Sequence, residues 1–168
     1  MKMLFLCLFF STAAFAGFYD VKEKSIDGKE FKMDSLKGKT VLVVNIASQC
    51  GYTPQMTDLE ALHQKYKGKN FTVLGVPTND FGGQTPEDDK AMMEFCQKNY
   101  SATFPILTKK TILGKDKRDL YKTIDAGKDV KWNFEKILVN KKGEVIGRFD
   151  SKVKPLDSEL TTAIEKNL

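Results

Sequence analysis

The sequence predicts an α/β fold, a central mixed sheet flanked by helices, built as one domain. Three observations predict it. Thr40 to Ala47 and Phe71 to Val76 are nearly continuous apolar and β-branched runs, the pattern of strands buried on both faces. Two Thr-Pro pairs, Thr53-Pro54 and Thr85-Pro86, open stretches of helical periodicity. Farther on, two extended runs flank Lys141-Lys142-Gly143, the signature of a hairpin.

Taken in order, Thr40 to Ala47 is the central strand. Thr53 reads as an N-cap and Pro54 as the first helical residue, and Met56, Leu59, Leu62, His63 and Tyr66 then recur at helical spacing up to Gly68. Phe71 to Val76 is the second buried strand. Thr85-Pro86 repeats the cap signal, with Glu87, Asp88 and Asp89 placed where the helix dipole favours acids. That helix carries Met92, Met93, Phe95 and Cys96 and ends near Asn99-Tyr100. An extended piece over Phe104 to Leu107, a short helix over Asp116 to Ile124, the hairpin of Phe134 to Asn140 with Glu144 to Phe149, and a last helix over Asp157 to Asn167 complete the chain. Strand, helix, strand, helix, hairpin, helix is the thioredoxin-like layout.

The 168 residues, 41% hydrophobic and 29% charged, can bury one sizeable core without metals or a disulfide framework. The net charge of +5 is spread over lysines interleaved with acids, and the one dense patch, Lys109-Lys110, is short. That distribution argues against nucleic-acid binding and leaves attraction to anionic lipid or an acidic reductase open. Residues 1–16 read as a signal peptide: a basic start, an apolar run from Leu4 to Phe10, and an Ala-Phe-Ala ending. The apolar run is too short for stable membrane insertion. The expectation is an exported protein, periplasmic or secreted, whose single domain covers residues 17–168. Cleavage after Ala16 would remove Cys7, and loss of Lys2 would lower the charge from +5 to +4.

Two cysteines then remain, Cys50 and Cys96, and in an exported protein the plainest use for such a pair is a structural disulfide. Position points elsewhere. Cys50 follows the central strand and lies three residues before the helix start. Unpaired helix-start N–H groups and the positive end of the macrodipole favour a thiolate there, the attacking form of the residue. Gly51 leaves the sulfur approachable. In Cys50-Gly51-Tyr52-Thr53 the second cysteine of a disulfide-exchange motif is missing. Two cysteines and the single histidine, His63, make a poor zinc site and a poor Cys-His hydrolase.

Asn45-Ile46-Ala47-Ser48-Gln49-Cys50-Gly51-Tyr52-Thr53 resembles the motif around the peroxidatic residue of glutathione peroxidases. Pro77-Thr78-Asn79-Asp80-Phe81-Gly82-Gly83-Gln84 resembles their second motif and Lys131-Trp132-Asn133-Phe134-Glu135-Lys136 their third, in the same order and with similar spacing. The likeness runs from about Phe18 to the end. It implies that Cys50 is the peroxidatic thiol and that Trp132 and Asn133 are its hydrogen-bonding partners. The family's glutamine position holds Asp80, a departure: an ionised carboxylate donates no hydrogen bond and its charge disfavours a thiolate. Asp80 is then protonated, or orients Trp132 or Asn133, or accepts a proton; Asn79 is a substitute donor. The attacking residue is cysteine where many animal relatives carry selenocysteine.

The resemblance also implies a role for Cys96, since cysteine-based members often carry a resolving cysteine in a matching helix. Condensation of a Cys50 sulfenic acid with Cys96 would give an internal disulfide, and would require that helix to fray. No cofactor is expected beyond a thiol co-substrate, with a thioredoxin-like dithiol protein preferred to glutathione. The short stretch between Asp125 and Trp132 resembles the monomeric branch, with an open site for hydrogen peroxide and organic or lipid hydroperoxides. The rival readings are a redox relay that passes its disulfide to a client protein, and a non-catalytic binding domain on the same scaffold.

Overall fold

A computed structural model describes residues 17–168; the expected signal peptide, Cys7 included, lies outside the described residues. A short antiparallel ladder, β1 (Glu23–Lys24) with β2 (Glu30–Phe31), precedes the main sheet. The sheet is built from β3 (Thr40–Ile46), β4 (Phe71–Pro77), β5 (Lys136–Val139) and β6 (Val145–Phe149) in the order β4-β3-β5-β6. The helices are α1 (Gln55–Tyr66), α2 (Asp89–Tyr100), α3 (Asp119–Ile124) and α4 (Ser158–Glu165). β3 runs parallel to β4 and antiparallel to β5, which forms the hairpin with β6. This mixed sheet flanked by helices is the expected architecture.

The reason β3 reads as a continuous apolar run is that both of its faces are covered. Leu42, Val44 and Ile46 point to the side where Met56, Leu59 and Leu62 of α1 pack, together with Leu160 and Ile164 of α4. Val41 and Val43 point to the other side, with Leu74, Val76, Ile137 and Val139, against Leu120, Tyr121 and Ile124 of α3. Alternation along the strand sends neighbours to opposite faces. The register, Leu42 opposite both Val73 and Leu138, keeps each apolar set on its own side.

The outer side of β4 is closed by the extended piece expected at Phe104 to Leu107. Gly75 N–H donates to Pro105 O at 2.9 Å and Leu107 N–H donates to Gly75 O at 2.9 Å. The chains approach so closely that a Cβ on Gly75 would lie 3.1 Å from the Phe104 ring and 3.2 Å from Ile46 Cδ1.

Three local expectations are corrected. Thr53 does not cap α1: its Oγ1 accepts from Cys50 N–H at 3.0 Å and donates to Ala47 O at 2.9 Å, and α1 begins at Gln55. Thr85 does not cap α2 either. Asp88 does so, accepting from Ala91 N–H at 2.8 Å, because residues 85–89 are drawn onto Lys109, which donates from Nζ to Thr85 O and Glu87 O and from its backbone to Asp89. Finally, α3 starts at Asp119, not Asp116, after Arg118 turns inward to pair with Glu23 in a fully buried ion pair. The Arg118 Nη1 also donates to Thr108 O at 3.1 Å.

Candidate active site

The site is assembled where β3 ends, from three segments. Ile46 closes the strand, and residues 47–54 turn tightly before α1 begins at Gln55. Thr53 pins that turn at both ends through Cys50 N–H and Ala47 O. Cys50 is thereby held with only 8% of its surface exposed, and the backbone N–H of Tyr52 points at its sulfur, 3.5 Å away. A donor so placed interacts more strongly with a charged sulfur than with a neutral thiol. Tyr52 itself remains 36% exposed beside it.

The second segment leaves β4 and folds back over the turn. Gln49 N–H donates to Gln84 O at 3.0 Å. Gly82 and Gly83, with φ of +63° and +66°, make the reversal that brings Gln84 here, in a conformation other residues rarely adopt. The Gln84 side chain then accepts from Asn133 Nδ2 at 2.9 Å. Asp80 goes the other way. Its Oδ2 accepts from Ile112 N–H at 2.6 Å and Thr111 Oγ1 at 3.1 Å, anchoring a neighbouring loop. The amide that meets Asn133 therefore belongs to Gln84, a residue that sequence reasoning quoted but did not single out. A signal existed: Gln84 is the only glutamine of the second motif. Asn79 serves its own loop, accepting from Thr85 N–H at 2.8 Å.

The third segment enters β5. Asn45, buried in β3, donates from Nδ2 to Trp132 O at 2.9 Å, and its own carbonyl accepts from Phe134 N–H at 2.7 Å. Phe134 has φ +64°, a left-handed conformation costly for an aromatic residue, held by complete burial of its ring. That bend fixes Asn133, which is fully buried, next to Trp132, which is 41% exposed with its ring tilted on Phe81 at 5.7 Å between centroids. Trp132 and Asn133 thus lie against the end of β3, joined to the Cys50 turn through Asn45 and through Gln84.

Cys50 and Cys96 are both free thiols, so the structural disulfide does not exist in this structure. They belong to one apolar cluster. Cys96 is fully buried in α2, and burial, reinforced by the Glu87 carboxylate, pushes its thiol up to about 12. Along α2 only Met92 and Cys96 are buried, with Met93, Phe95 and Tyr100 packed partly buried against the same core. His63 takes no part; Nδ1 accepts from Val73 N–H at 3.5 Å, the ring meets Phe104 edge-on, and burial lowers its pKa. Among the described residues no group of three or more His, Cys, Asp or Glu could hold a metal ion, and no helix is long and apolar enough to cross a membrane.

The glutathione peroxidase family model matches residues 18–125. The chain belongs to the glutathione peroxidase family. It is 48% identical over 158 residues to glutathione peroxidase-like peroxiredoxin 2 of Saccharomyces cerevisiae, covering 89% of this chain and 98% of the yeast protein. It is 37% identical over 162 residues to hydroperoxy fatty acid reductase gpx1 of Synechocystis, covering 89% and 95%. Among solved structures it is similar to Trgpx in apo form, with a TM-score of 0.69, 35% identity and coverage of 90% and 97%. A thioredoxin-family thiol:disulfide interchange protein from Chlorobium tepidum, at 18% identity and TM-score 0.64 over 87% of this chain and 91% of that one, shares the thioredoxin fold. As a member of the glutathione peroxidase family, the chain is an oxidoreductase acting on peroxides.

Proposed function

We propose that this glutathione peroxidase-family protein reduces hydrogen peroxide and organic hydroperoxides, including those of fatty acids, with Cys50 as the attacking sulfur. The observation that carries the reading is the Cys50 turn, which aims the Tyr52 N–H at a free sulfur at the end of the central strand. In the first step the Cys50 thiolate attacks the terminal peroxide oxygen and the O–O bond breaks. The sulfur is oxidised to a sulfenic acid and, after the alkoxide takes a proton, ROH leaves. The amide of Asn133, oriented by Gln84, and the indole of Trp132 are the donors for the departing oxygen. In the second step Cys96 loses its proton and attacks the Cys50 sulfur, releasing water and forming a Cys50–Cys96 disulfide.

A buried Cys96 supports a dithiol protein of the thioredoxin type as reductant. Movement of α2 is needed to expose that thiol, and a two-cysteine disulfide is the usual substrate of such a protein. The exposed Tyr52, next to the sulfur, and the exposed Trp132 of the third segment support bulky, apolar hydroperoxides as substrates. A fatty-acid hydroperoxide is the substrate class in the name of the Synechocystis relative. Residues 1–16 support action outside the cytoplasm, and the short Asp125–Trp132 stretch supports a monomer.

Stopped-flow reduction of hydrogen peroxide and of a fatty-acid hydroperoxide by residues 17–168, wild type against Cys50→Ser, tests the reading, with a thioredoxin and glutathione compared as donors. Loss of activity in Cys50→Ser and turnover with thioredoxin are expected. Peroxide consumption that survives the substitution would sink it.

A further inference from the structure

We propose that Glu87 is a positioning residue, a carboxylate that ties the start of α2 to the Cys50 turn and so sets how fast Cys96 reaches Cys50. The proposal rests on the reading in which Cys96 resolves the sulfenic acid. The Glu87 carboxylate joins two segments of different fate. Its Oε2 accepts from Ser48 Oγ at 2.5 Å and its Oε1 from Gln49 Nε2 at 3.1 Å, the two residues immediately before Cys50. On its other side Glu87 directly precedes Asp88, the cap of α2.

A carboxylate gripped by two donors is a stronger tether than either bond alone. It matters because, beside the packing of Met92, Met93, Phe95, Cys96 and Tyr100 on the core, the Asp88 cap and the Lys109 contacts, it is the bond that joins the start of α2 to the Cys50 turn. Cys96 lies seven residues past Asp89, about 10 Å along the axis at helical rise. Both thiols are free in this structure, and a disulfide requires α-carbons roughly 4.4–6.8 Å apart; in the proposed cycle α2 shifts or unwinds to meet that requirement. The same carboxylate also disfavours the Cys96 thiolate, so it opposes the resolving step in two ways. It does not hold Cys50 in place, since Thr53 and the Gln49-to-Gln84 backbone bond do that independently. A tether that slows resolution lengthens the life of the sulfenic acid.

The test mixes reduced wild-type, Glu87→Ala, Ser48→Ala, doubly substituted and Glu87→Gln proteins with one equivalent of hydrogen peroxide. Peroxide consumption reports the first step; quenched-flow mass spectrometry of the Cys50–Cys96 peptide reports the second. Glu87→Ala should form the disulfide about tenfold faster, the equivalent of about 1.4 kcal/mol, with peroxide consumption within about twofold of wild type. Ser48→Ala should gain less, and the double substitution should match Glu87→Ala, because Glu87→Ala already removes the Ser48 contact along with that of Gln49. Glu87→Gln, which keeps an accepting oxygen, should fall between. Disulfide formation in Glu87→Ala that is unchanged or slower, in a protein with wild-type circular dichroism, overturns the tether. Absence of any Cys50–Cys96 bond in the wild type overturns the resolving role of Cys96 and the tether with it.

Discussion

Replacing Asp80 separates an anchoring residue from a catalytic one. Asp80 Oδ2 accepts from the N–H of Ile112, a fully buried residue, and from the hydroxyl of Thr111. Asp80→Ala leaves that backbone N–H without an acceptor, and loss of a hydrogen bond to a charged group costs about 1.5–3 kcal/mol. Asp80 is half-exposed, and water can reach the Thr111 end, so about 2 kcal/mol is expected. With a urea slope of about 2 kcal/mol/M, the midpoint should fall by roughly 1 M. Asp80→Asn keeps an accepting oxygen and should cost about half as much. In both variants the second-order rate of peroxide with Cys50 should stay within about twofold, because Gln84, not Asp80, meets Asn133. Urea unfolding followed by tryptophan fluorescence and stopped-flow peroxide consumption give the two numbers. A tenfold loss of peroxide reactivity at unchanged stability would refute the reasoning and return Asp80 to the chemistry.

Gln84→Met should do the reverse, lowering peroxide reactivity about tenfold or more, a loss typical of a displaced oxyanion donor, with a smaller loss of stability; a stopped-flow rate equal to wild type would contradict it. Glu23→Gln should destabilise by about 3–5 kcal/mol, since it strands the buried Arg118 guanidinium, and thermal unfolding measures this. Burial pulls the fully buried Lys136 from 10.5 down to about 8. The unfolded chain therefore binds more protons between about pH 8 and 10.5. This lysine's contribution to stability is complete above that window and is lost as pH falls through about 8. Denaturation of Lys136→Met across pH 7 to 11 should show that rise flattened. Cys96 in the reduced protein should resist iodoacetamide at pH 8 and react only on unfolding, because its thiol stays protonated and enclosed.

The centre of the sheet was legible because β3 and β4 advertise their burial. A run such as Thr-Val-Leu-Val-Val-Asn-Ile has one plausible home, and the Lys-Lys-Gly turn fixes the hairpin. The position of Cys50 followed from the same run and the Pro54 signal. The ladder of β1 and β2, two residues each, is too short to carry alternation and was not expected. The two threonines fail as caps for different reasons: the Thr53 hydroxyl serves other backbone groups, whereas Thr85 Oγ1 is buried without a partner. Thr53 found Ala47 O and Cys50 N–H, while the capping of α2 passed to Asp88. The destination of Asp80 was not readable because its partners lie 31 and 32 positions away, in a loop without periodicity. Nor was the Gln84–Asn133 contact, across 49 positions, visible before the segments were placed.

The strip of chain after α2 lies along the outer flank of β4, fastened to Gly75 by two main-chain bonds. A bare strand edge presents a row of unsatisfied peptide groups, an invitation to sticking between molecules. Residues 104–107 cover that edge through main-chain bonds of their own, none of them made to α2. Were α2 to open as proposed, the flank of β4 would stay covered and offer neighbouring copies no place on which to stack.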